Sequence, residues 1–139
     1  MRLALTLLTA LALAAGLASA AWADSITFFR TPSKNIYCAR EKLGRTDMLR
    51  CDVRQLAHQA PKPKGCRFGW GNSFGVNARG RAHALCVSDS VFDPHAKTLA
   101  YGKTRRLGPF KCSSKASGLR CSNRSGHGFF LNRTSYRLF

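Results

Sequence analysis

Apolar and polar residues alternate in short runs along most of this chain. Leu49, Cys51 and Val53 fall on one side of an extended segment, with Arg50 and Asp52 on the other. Leu119 and Cys121 alternate in the same way with Arg120 and Ser122. Upstream of each, Ile36 shares a face with Cys38, and Phe110 with Cys112. A period of two is the mark of a half-buried strand. Further strands are expected at 74–77, 83–87, 98–101, 129–132 and 136–139, separated by Gly, Asn, Ser and Pro at short intervals. No stretch beyond residue 24 keeps a helical period. The pattern predicts an all-β fold, a small sandwich or barrel of short antiparallel strands. Segment 54–65, with Pro61 and Pro63, reads as an extended, exposed loop.

The strands carry an internal echo. "YCAREKLGRTDMLRCDV" and "FKCSSKASGLRCSN" both run from a cysteine through a polar stretch with glycine to Leu-Arg-Cys. Each is followed by a second shared piece, "GNSFGVN" (71–77) and "GHGFFLN" (126–132). Two pieces kept in the same order suggest two related halves, 28–87 and 101–139.

The first residues change the picture from a bare fold to a compartment. Arg2 is followed by an apolar run and then by small residues at signal-peptidase spacing, Ala18-Ser19-Ala20 and Ala21-Trp22-Ala23. This predicts a signal peptide over 1–23 and a single exported domain over 24–139, periplasmic or extracellular. The run is too short to span a bilayer, and no second run of spanning length follows, so no transmembrane segment is expected in the mature form.

All six cysteines, Cys38, Cys51, Cys66, Cys86, Cys112 and Cys121, lie after the leader. An even number in an exported chain argues for disulfides. No two are close enough for a zinc motif, and neither a metal nor a cofactor is expected. Hairpins turning near Gly44 and near "KASG" would set Cys38 opposite Cys51 and Cys112 opposite Cys121, within disulfide reach. That leaves Cys66 for Cys86.

Charge narrows the partners. Lys and Arg number 23 against 6 Asp and Glu; losing Arg2 with the leader leaves 22 against 6, or +16. Such an excess attracts polyanions: lipopolysaccharide, acidic glycan or extracellular nucleic acid. Lys103, Arg105 and Arg106 are expected to project from the loop before "GPFKC". Alternation puts Lys111 and Arg120 on the outward face of the hairpin that follows, because Cys112 and Cys121 point inward. These five form the candidate anion-binding set.

"FRTPSKNIYC", "LRCDV", "WGNSF", "LAYGKT", "GPFKC" and "GLRCSNRSGHGFFLNRTSYRLF" together resemble an uncharacterised family of small exported, cysteine-bearing bacterial proteins, a domain of unknown function. The closing motif G-L-x-C-x-N-x-x-G-H-G-F-F-L is the most specific part. The resemblance implies an exported, cysteine-bearing domain and brings no activity, ligand or catalytic residue.

His127 sits between two glycines, in the place Asn72 holds in the first half, which suits a turn residue that tolerates a left-handed backbone. A catalytic His127 would need a partner acid, and acids are few. No residue is therefore assigned a catalytic role. Trp70 reads as a core residue ahead of a stacking platform. The leading expectation is a non-enzymatic binding or envelope-associated module for an anionic partner. The alternatives are a small basic secreted hydrolase such as a nuclease, and an inhibitor or toxin-like protein acting on another protein.

Overall fold

Short alternating segments can bury only one face each, so they must pair into sheets and the sheets must stack. In this computed structural model, which describes residues 23–139, they do so as a two-layer sandwich. The expected leader lies outside the described residues, Ala23 excepted.

The first sheet is built from β1 (Ser25–Arg30), β2 (Ile36–Leu43), β3 (Thr46–Val53), β4 (Ser73–Asn77), β5 (His83–Ala84) and β6 (Lys97–Thr98). Its spatial order is β5-β4-β3-β2-β1-β6, and only the β1–β6 pair is parallel. The second sheet holds β7 (Thr104–Leu107), β8 (Phe110–Lys115), β9 (Gly118–Ser122), β10 (Gly128–Leu131) and β11 (Tyr136–Leu138), in the order β11-β10-β9-β8-β7 and antiparallel throughout.

The inward faces merge into one apolar cluster. Phe29, Leu49, Phe74 and Val76 come from the first sheet, and Phe110, Leu119, Phe129 and Leu131 from the second. The rings of Phe74 and Tyr136 meet across the gap with centroids 4.7 Å apart. Asn123 adds a polar tie, its Nδ2 donating to the carbonyls of Asn77 (3.0 Å) and Gly80 (2.9 Å).

Cys38 pairs with Cys51 and Cys112 with Cys121, each couple directly opposed on a hairpin with a Cα separation of 4.1 Å. Cys66 joins Cys86 at 5.7 Å, beside the single bridge between Gly69 and Val87. No free thiol is left among the described residues.

The two halves share strand order and register. Phe29, Cys38, Cys51, Phe74 and Ala84 form one row across β1 to β5. Arg105, Cys112, Cys121, Phe129 and Leu138 form the matching row across β7 to β11. The loop hydrogen bonds match too. Val53 N–H donates to the Asn72 carbonyl at 2.8 Å, and Asn123 N–H to the His127 carbonyl at 2.8 Å. Gly71 and Gly126 open the equivalent turns at φ of 108° and 80°, a region that favours glycine.

Four expectations are corrected. Lys103, Arg105 and Arg106 do not share a loop: Arg105 and Arg106 lie within β7. Two expected strands are shorter than their pattern: of 83–87 only His83 and Ala84 pair with β4, and of 98–101 only Thr98 pairs, beside Lys97, with β1. Trp70 is not core; it is 44% exposed.

Candidate anion-binding face

Period-two geometry sorts the cations of the second sheet. Arg105 stands opposite Cys112 and so points between the sheets, half-buried, with its guanidinium 6.0 Å from the centre of the Phe29 ring. Arg106 stands opposite Lys111 and points outward with it. The five expected residues are thus split: Arg106, Lys111 and Arg120 share the outer face, Arg105 faces inward, and Lys103 precedes β7. Alternation also brings Lys115 and Arg137 to that outer face, two cations the sequence reading missed. Their signal was present, since Lys111, Ser113 and Lys115 alternate with Cys112 and Ser114, and Arg137 alternates with Tyr136 and Leu138.

The face has a definite layout. One row runs Thr104, Ser113, Arg120, Phe130, Arg137 across all five strands. Neighbours in such a row are roughly 5 Å apart. The Arg120 guanidinium lies 3.9 Å from the centre of the Phe139 ring, and that of Arg137 lies 5.9 Å from Phe130. The Phe130 ring lies across Gly118, where an added Cβ would come within 2.6 Å of it. Ser113, Lys115, Gly118, Arg120, Phe130 and Arg137 border a shallow basin of about 360 Å³. Aromatic faces hold guanidinium groups by cation–π attraction and leave their N–H edges available. Arg106, Lys111, Lys115, Arg120 and Arg137 are all exposed, and no Asp or Glu occurs between residues 94 and 139.

The outer face of the first sheet is a contrast. There Arg50 occupies the position that Arg120 holds in the second half, each between a Leu and a Cys of Leu-Arg-Cys. The Arg50 side chain is only 4% exposed. Its Nε and Nη2 donate to the two carboxylate oxygens of Asp52 at 2.9 and 3.0 Å. Its Nη1 donates to Asp89 Oδ1 at 2.8 Å, and Nη2 to the Asp89 carbonyl at 2.7 Å. Asp52 also accepts the Val91 N–H at 3.0 Å. Segment 88–93 thereby straps the face, with Val91 packed on Tyr37 and Ala39 and the Phe92 ring 4.6 Å from that of Tyr37.

Burial would lower the Arg50 pKa, but the hydrogen bonds and charges of Asp52 and Asp89 outweigh it, so the guanidinium is held above its usual value. The hydrogen bond and charge of Arg50 hold the Asp89 carboxyl below the usual carboxylate range. A carboxyl held low stabilises the folded contact above its unfolded pKa, near 4. That contribution fades as pH falls through the still lower folded value. Trp70 lines the same pocket as Asp89 and Phe92, with Lys62 Nζ 4.6 Å from its ring centre. Its fluorescence is therefore expected to stay constant from pH 7 to 5 and to change only below about pH 4. A transition centred at pH 6 would show that the strap is not held by this carboxylate.

His127 is used by its backbone. Its N–H donates to Asn123 Oδ1 at 3.1 Å, and its carbonyl accepts from Asn123 N–H, closing the turn into β10. Among the described residues no cluster of three His, Cys, Asp or Glu is placed to hold a metal ion. Nor is any helix among them long and apolar enough to cross a membrane.

Comparison with curated proteins and with solved structures gives no match. A family model does match, over residues 5–139, and the two-sheet, three-disulfide domain described above therefore belongs to a family of unknown function (DUF6636).

Proposed function

We propose that this protein is an exported, non-enzymatic binding module that captures an anionic partner on the outer face of its second sheet, in a bacterial periplasm or its surroundings. The observation that carries this reading is a face with Arg106, Lys111, Lys115, Arg120 and Arg137 exposed, two rings between them, and no acid in the whole of segment 94–139. Cations concentrated on one rigid sheet attract a polyanion more strongly than the same charges scattered over loops. Export is supported by the leader pattern and by three disulfides, which form and persist in oxidising compartments.

The test is binding to lipopolysaccharide, heparin, DNA and poly-L-glutamate, each titrated with salt. If about five phosphates of a DNA ligand are engaged, affinity should fall roughly 10²–10³-fold between 50 and 200 mM salt. The triple variant Arg106→Ala, Lys111→Ala, Arg120→Ala should weaken binding and flatten that slope, with little change in melting temperature because all three side chains are exposed. Arg105 is left out of the set because it packs between the sheets. A binding curve indifferent to salt, or unchanged in the triple variant, would reduce the face to a solvated surface.

A further inference from the structure

The two halves of the sandwich give the same arginine two different surroundings. Arg50 has two carboxylates and a covering strap. Arg120 stands at the equivalent register position, with Ser122 where Asp52 would be, and it is exposed. From this comparison we infer that the second sheet receives an extended, acidic polypeptide segment of a partner. Arg120 grips one of its carboxylates as Arg50 grips Asp52 and Asp89. The inference rests on the anion-binding reading and specifies its ligand.

The first half shows what such an occupant needs. Its strap supplies a carboxylate from Asp89, a backbone N–H from Val91 to Asp52, and the Val91 side chain to an apolar floor. In the second half the floor has changed in a consistent direction. Lys111 stands where Tyr37 does, and Ser113 where Ala39 does, so the surface is more polar and more positive. The apolar contact is instead offered by Phe130, at the position of Gly75, and by Phe139. An occupant complementary to this face carries more negative charge than 88–93 and keeps an occasional apolar side chain. The basin beside Phe130 accepts an acidic side chain between Arg120 and Arg137.

A guanidinium holds a carboxylate through two parallel N–H···O bonds, a geometry an ammonium cannot reproduce. Charge attraction alone would not distinguish the two. The Arg120→Lys variant tests that paired contact. Phosphate also accepts two such bonds from a guanidinium, so the polymers are told apart by their carbon chain, which can cover Phe130 and Phe139 where polyphosphate cannot.

Binding of poly-L-glutamate and of inorganic polyphosphate with the same number of charges is measured at 150 mM salt, with the wild type and with Arg120→Lys. The oxidised protein is used throughout, and its melting temperature is checked in both forms. Poly-L-glutamate is expected to bind more tightly than polyphosphate, and Arg120→Lys to weaken that binding about tenfold at unchanged melting temperature, as loss of a paired charged contact implies. Equal or tighter binding of polyphosphate, or full retention by the lysine variant, would overturn the acidic-segment inference and leave the anion-binding face standing. Failure of both polymers to bind even at 50 mM salt would remove the face and the inference together.

Discussion

Replacing Arg50 by alanine is expected to destabilise the folded protein by about 3–5 kcal/mol, whereas Arg120→Ala at the equivalent position should cost less than about 0.5 kcal/mol. The two residues share a tripeptide, a strand position and a cross-strand register. They differ in what surrounds them. Removing Arg50 strands the Asp52 carboxylate in a buried place without its ion-pair partner and takes away the contacts that anchor Asp89 of the strap. Removing Arg120 exposes a little more of a face already open to water. For a domain of this size the Arg50 variant should melt on the order of 10–20 °C lower. Thermal melts of the two oxidised variants decide the matter. Equal shifts would mean that the strap contributes nothing and that the two faces are energetically alike.

Reduction of the disulfides should unfold the protein at room temperature. The three bonds close segments with sequence separations of 13, 20 and 9. The loop-entropy relation gives about 3 kcal/mol for each, or about 9 kcal/mol together. Net stabilities of small domains run roughly 5–15 kcal/mol, so little or nothing would remain. The inter-sheet core is itself built around two of these bonds: Cys38, Cys51, Cys112 and Cys121 are fully buried between the sheets. Circular dichroism before and after a strong reductant gives the readout, and a thiol assay on the oxidised protein gives the control. A cooperative melt retained well above 25 °C after reduction would refute the expectation. Two or more reactive thiols in the native protein would refute the pairing behind it.

The strands that the pattern revealed are those whose two faces differ in polarity. β8 and β9 alternate because their inner residues meet the opposite sheet while their outer face meets water; β3 alternates because its outer residues Arg50 and Asp52, though buried, pair with each other under the strap. β1 and β7, equivalent in the two halves, escaped for opposite reasons. In β1 both Phe28 and Phe29 are covered, Phe29 by the inter-sheet core and Phe28 by the cluster around Val91, so alternation is lost. In β7 two adjacent arginines hide it, since Arg105 buries its stem against the core while Arg106 stays in water. A long cationic side chain at an inward position reads as a loop in one dimension.

The sequence by itself determined the all-β class, the hairpin-facing cysteines, the repeated Leu-Arg-Cys plan and the outward direction of Lys111 and Arg120, because each depends only on local period and spacing. Which cations share a surface was decided by tertiary structure. Lys115 and Arg137 join Arg106, Lys111 and Arg120 only through pairing between strands far apart in the chain. The different fates of Arg50 and Arg120 were likewise invisible locally. Asp89 reaches Arg50 across 39 residues of chain, and no acid follows residue 93 to do the same for Arg120. A charge is neutralised by whatever the fold brings within a few ångströms of it, and that is a property of the packed sheets and of no single segment.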